Sequence, residues 1–126
     1  MISYNSKSRE TCLKIKSELE KAGFRVWIDI ESIYGSSLSA MAYAIETSFC
    51  VLMCVTEKYK ESNFCRLEAE YLIQQKKPYI PLFLQPGYKP NGWLGLVIGK
   101  WHHESFKKSL NWIIDNNQII LNINLI

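Results

Sequence analysis

Apolar residues recur along this chain with two alternating periods. In "SRETCLKIKSELEKAG" (8–23), Cys12, Ile15, Leu19 and Ala22 repeat at three- and four-residue spacing. That spacing makes one face of a helix apolar, and Gly23 ends it. "ISY" (2–4) before it and "FRVWIDI" (24–30) after it read as strands. "ESIYGSS" (31–37) is a loop broken by Gly35, and "LSAMAYAIETS" (38–48) is a second helix with Ser36 or Ser37 placed to cap it. "FCVLMCVT" (49–56) is apolar on both faces, as a central parallel strand must be. "EKYKESNF" is a connection with about one helical turn, and "CRLEAEYLIQQK" (65–76) is a third helix. "YIPLFL" (79–84) is a strand whose Pro81 argues against a fully paired central position. "QPGYKPNGWLGLVIG" reads as a long loop rich in glycine and proline. "ESFKKSLNWIIDN" (104–116) reads as a last helix, and "QIILNINLI" is β-prone without a clear place.

Strands alternating with helices predict an α/β fold. The expectation is a flavodoxin-like three-layer sandwich, with a central parallel sheet of four to five strands and helices on both faces. In such folds ligands bind beyond the carboxyl ends of the strands. Here that edge carries Tyr4 and Asn5, Asp29 to Gly35, and Thr56 to Glu68.

Composition narrows the class. The 126 residues fit one domain, and 48 % hydrophobic with 21 % charged residues is a globular balance. No apolar run approaches the roughly 18 residues of a membrane span. Met1 is followed by "ISYN" with no basic stretch, so no signal peptide is expected. A scattered net charge of +3 gives no footprint for nucleic acid. Of the four cysteines, Cys50 and Cys54 lie on one strand roughly 13 Å apart, too far for a disulfide or a shared zinc. The cysteines read as small apolar residues in a reducing compartment. His102-His103 has no ligand partners at useful spacing, so no metal site is expected.

Several enzyme classes lack their motifs. "SYNSKSRE" after the first strand has no glycine, which excludes a dinucleotide fingerprint or a phosphate loop there. A phospho-accepting receiver needs acidic residues where this chain has Asn5 and Thr56, and no Gly-x-Ser-x-Gly elbow is present. Two glutamates stand close together on the third helix. Glu70 has Arg66 four residues before it, an ordinary ion pair. Glu68 has no basic residue at that spacing and lies at the margin of the face made by Cys65, Ala69, Leu72 and Ile73, near the helix start. That pattern alone favours a solvated helix-start glutamate over a functional carboxylate, and singles out Glu68 over Glu70 without establishing catalysis.

Four stretches in order resemble the TIR (Toll/interleukin-1 receptor) domain over nearly the whole chain: "ISYN", "GFRVWIDIESIYGSSLSAMAYAI", "NFCRLEAEY" and "KKPYIPLFL". The resemblance implies a single TIR-like domain over 1–126 with a truncated first strand, and a cytoplasmic role in innate immune or cell-death signalling. It implies one of two roles: cleavage of NAD⁺ to nicotinamide and an ADP-ribose product, or a non-enzymatic adaptor that binds other TIR domains. The glutamate that cleaves NAD⁺ in the family stands three residues after the cysteine of a [WF]-C-x-x-E segment. In this chain it is Glu68, after Phe64 and Cys65. By the same resemblance Ser3, Tyr4, Asn5, Trp27, Asp29, Gly35, Phe64 and Cys65 line the substrate site. Ile30, Glu31, Ser32, Ile33, Tyr34, Gly35 and Ser36 form the self-association loop. For Trp27 core packing, and for Gly35 a plain turn, explain the residues equally well. NAD⁺ is implied as substrate, with no cofactor, and other TIR domains as partners. The NAD⁺-cleaving animal members carry basic residues just after the first box, where this chain has Asn5 and Ser6.

Overall fold

The computed structural model describes residues 1–28 and 38–101. Three strands, β1 (Ile2–Ser3), β2 (Val51–Val55) and β3 (Tyr79–Phe83), form a parallel sheet in the order β1-β2-β3. Ile2 pairs with Leu52, and Leu52 in turn with Ile80, which sets the register across the sheet. The helices are α1 (Arg9–Lys21), α2 (Leu38–Thr47), α3 (Glu57–Glu61), α4 (Asn63–Gln74) and α5 (Gly92–Gly99). A 3₁₀ turn at Ser6–Ser8 leads into α1. Among the described residues no helix is long and apolar enough to cross a membrane.

The alternation of β2 builds the three layers. Successive side chains on a strand point to opposite faces. Val51, Met53 and Val55 pack with Met41, Ala44 and Ile45 of α2, Ala69 and Leu72 of α4, and Leu94 and Val97 of α5. Cys54 turns the other way and meets Ile2, Ile28 and Cys12 of α1. The thiols of Cys12 and Cys54 lie 3.5 Å apart as free cysteines, packed as small apolar groups. Full burial of a side chain such as Ile45 or Leu72 contributes about 1.5–3 kcal/mol, so these two clusters hold the sandwich together. At the end of α1, Gly23 adopts φ +94°, a left-handed conformation that glycine takes without steric cost, and the helix stops there.

The α/β expectation holds, with a sheet of three strands in the described residues and three departures in detail. First, "FRVWIDI" is not a full strand over its described part. Ile28 makes one parallel bridge to Ile2, and the Ile2 amide donates to the Trp27 carbonyl at 3.0 Å. That contact puts this segment on the outer side of β1, as the flavodoxin-like order requires, with the order reversing between β1 and β2. Second, α4 begins at Asn63 rather than Cys65, because Ser62 caps it by accepting from the Cys65 amide at 3.2 Å. Third, "QPGYKPNGWLGLVIG" is not all loop. Its second half is α5, where burial of Leu94 and Val97 offsets the cost of about 1 kcal/mol per interior glycine. A Cβ on Gly95 would stand 3.1 Å from the Pro90 carbonyl oxygen, so that glycine permits a close backbone approach.

Pro81 lies in β3, which has a neighbour on one side only in the described sheet, where a missing N–H is tolerated. The expected capping serines 36 and 37, the loop 31–37, the helix 104–116 and the segment 118–126 lie outside the described residues.

Candidate functional site

Ser3 closes β1 at its carboxyl end. Ile2 packs in the α1 layer, so the two-residue period turns Ser3 toward the layer of α3 and α4. Thr56 follows β2 and caps α3, its hydroxyl accepting from the Tyr59 amide at 3.0 Å. Tyr59 is the one buried residue of that short charged helix. Ser62 then serves as both the end of α3 and the cap of α4. That single-residue corner sets Tyr59 and Glu68 at a fixed separation. Three side chains from three elements converge at the point where strand order reverses.

The Ser3 hydroxyl is the centre of the cluster. Its oxygen lies 2.5 Å from Glu68 Oε2 and 2.7 Å from the Tyr59 hydroxyl. Ser3 is 1 % exposed and Tyr59 fully buried, whereas Glu68 is only partly buried. The Tyr59 ring packs 6.2 Å from the Trp93 ring of α5, which is itself anchored by its indole N–H donating to the Lys60 carbonyl at 2.9 Å. Burial drives the Tyr59 hydroxyl well above its ordinary range, and the neighbouring Cys65 and Glu68 add to this. Burial likewise pushes the Cys65 thiol up to about 12 against an opposing hydrogen bond from Ser62, with Glu68 reinforcing the rise. Both groups therefore keep their protons at physiological pH.

Glu70 behaves as its spacing predicts. It pairs with Arg66 Nε at 2.9 Å with both side chains 53 % exposed. Arg66 also stands over the Trp93 ring at 6.0 Å. Exposed pairs at this spacing contribute about 0.3–0.5 kcal/mol. Glu70→Gln is expected to shift stability by no more than about 0.5 kcal/mol in urea denaturation. A larger loss would assign Glu70 a structural role that its exposure contradicts.

Glu68 occupies the second turn of α4, because the helix starts two residues earlier than the sequence pattern predicts. The helix dipole acts mainly over the first turn, so the helix end contributes little at Glu68. The other expected site residues are distributed as follows. Cys65 is buried behind Glu68. Tyr4 is half-buried against the Ile2 and Cys12 cluster. Asn5 caps the 3₁₀ turn, its side chain accepting from the Lys7 amide at 3.0 Å. Trp27 is 40 % and Phe64 56 % exposed, so neither ring is core. Asp29, Gly35 and the loop residues Ile30 to Ser36 lie outside the described residues.

Tyr59 is the participant that the sequence reading passes over. Its signal is a lone aromatic inside "EKYKE", three residues after a threonine able to cap. The raised thiols have a consequence for stability. Cys50, also raised by burial to about 11, joins Cys65 in keeping its proton where an unfolded chain would lose it near the ordinary value of 9.0. Below that value both states are protonated and the stability is fully present. Above it only the unfolded chain ionises, so stability falls as pH rises toward the folded values. Urea midpoints under reducing conditions are expected to drop steadily between about pH 9 and about pH 10.5. A level curve across that window would contradict this burial.

The family model described as TIR domain matches residues 1–115. No curated protein and no solved structure gives a significant match to the chain.

Proposed function

The chain belongs to the TIR domain family, whose members are signalling modules, and on that premise we propose that it cleaves NAD⁺ with Glu68 as the catalytic carboxylate. One observation carries the reading. Of two neighbouring glutamates, Glu70 is spent on an exposed ion pair, while Glu68 is held by a buried serine at the carboxyl end of the sheet. A solvated glutamate with no function needs no such partner.

The chemistry suits a single carboxylate. Breaking the bond between the ribose and the nicotinamide ring sends the bonding electron pair to the ring nitrogen. The cationic ring thereby leaves as neutral nicotinamide without needing a proton. Positive, oxocarbenium-like charge develops on the ribose, and a preorganised carboxylate stabilises it. Glu68 supplies that charge, and Ser3 fixes its Oε2 so that the carboxylate does not reorient as the ribosyl cation forms. Water then bonds to the ribosyl carbon and releases a proton to solvent, giving a linear product, or a nitrogen of the adenine bonds there and gives a cyclic one. Tyr4, Asn5, Trp27 and Phe64 supply the surrounding walls, with the exposed Trp27 and Phe64 rings offering faces for the nicotinamide or adenine. The loop from Ile30 to Ser36 brings neighbouring copies together, so activity depends on assembly.

The test is nicotinamide release from NAD⁺ by the protein held at high density on a surface, compared with the same amount dilute. Release that rises with density supports the reading. No release in either condition would sink it, and would leave homotypic TIR contacts as the function of the chain.

A further inference from the structure

Hydrogen-bond direction at Ser3 follows from proton count alone. A serine hydroxyl has one proton to give, and an ionised carboxylate can only accept. The 2.5 Å contact with Glu68 therefore uses the Ser3 proton. The 2.7 Å contact with Tyr59 must then run the other way, with the tyrosine O–H donating to the Ser3 oxygen. The tyrosine is fully buried, wedged beside Trp93, and stays protonated throughout the neutral range.

We propose that Tyr59 is a positioning residue for Glu68, acting through Ser3. Its O–H occupies one of the two Ser3 lone pairs, which favours the Ser3 orientation that donates its proton to Glu68 Oε2. Donation into Ser3 also polarises the serine hydroxyl and makes it a stronger donor, since hydrogen bonds in series strengthen one another. A stronger donor to the carboxylate favours the charged form, the form that stabilises a ribosyl cation. The inference rests on the proposed role of Glu68. It adds that readiness of this carboxylate is set by a side chain that touches no substrate.

The decisive experiment is a carbon-13 titration of the Glu68 carboxyl, which needs no NAD⁺. Among the described residues, Cys65 on its own helix and Tyr59 on α3 feel the charge of Glu68, and both remain neutral while a carboxyl titrates. Tyr59→Phe keeps the ring and removes only the donor. It is expected to raise the Glu68 midpoint by a few tenths of a pH unit. In a Ser3→Ala background the same substitution is expected to do nothing, because the path has been cut. An unchanged midpoint in Tyr59→Phe, or an equal shift in both backgrounds, overturns the proposal.

Should Tyr59→Phe not fold, the wild-type protein still decides. A slowly exchanging Tyr59 hydroxyl proton with a nuclear Overhauser contact to the Ser3 β-protons supports the relay, and its absence refutes it. Where wild-type protein releases nicotinamide, Tyr59→Phe is expected to lower kcat about 10-fold with KM unchanged. A change in KM alone would contradict positioning. Absence of release by the clustered wild type counts against the NAD⁺ reading only, while the titration judges the relay.

Discussion

Replacing Glu68 with glutamine is expected to lower nicotinamide release from NAD⁺ by about 10²- to 10³-fold, mainly in kcat. Losing one preorganised electrostatic group commonly costs that much. Glutamine is the informative choice because its carbonyl oxygen can still accept from Ser3, which sits 2.5 Å from the carboxylate now. Alanine would leave the buried Ser3 hydroxyl without that acceptor, at a cost of about 1–3 kcal/mol that confuses catalysis with folding. Glu70→Gln is the matched control, two residues along the same helix and in an exposed ion pair. Density-clustered wild type, Glu68→Gln and Glu70→Gln are compared by the rate of nicotinamide appearance, with thermal unfolding run beside them. Equal rates for wild type and Glu68→Gln would remove Glu68 from the mechanism. A loss shared by Glu70→Gln would show that the helix face, and not one carboxylate, matters.

Truncating Leu94 to alanine is expected to destabilise the domain by about 2–5 kcal/mol, as for other buried leucines. A loss of that size lowers Tm by something on the order of 10 °C in a domain of this length. Leu96→Ala is expected to change stability by no more than about 0.5 kcal/mol. The two leucines stand two residues apart, yet Leu94 is fully buried and Leu96 is 71 % exposed. Only a helix packed by one face separates them so sharply. Leu94 lies in the cluster with Val55, Tyr59 and Leu72, so its loss also loosens the wall behind the site. Equal, small effects from both substitutions would mean that α5 does not pack as described.

The places where sequence and structure part company share a cause. The segment ending in α5 carries Gly92, Gly95 and Gly99, which by local preference argue for a loop. Burial of Leu94 and Val97 against the sheet overrides that preference, and no local pattern reports such burial. The start of α4 is displaced by two residues because the cap is decided by Ser62, not by the first apolar residue of the stripe. Tyr59 was unremarkable in a short charged stretch until the corner at Ser62 folded it under Ser3.

The sequence by itself determined the alternation of strands and helices and the burial of β2 on both faces. It also determined the separation of Glu70 from Glu68, because periods of two and 3.6 residues and an i,i+4 partner are written into local spacing. The order of boxes along the chain determined the family. Only the tertiary structure decided that Ser3 meets Glu68. Ser3 and Glu68 are 65 residues apart and Ser3 and Tyr59 are 56 apart. Their meeting follows from parallel pairing of β1 with β2 and from a one-residue corner between two helices. Hydrogen bonds of that range leave no periodic trace in a chain, since any pair of polar residues is compatible with them until the backbone brings two together.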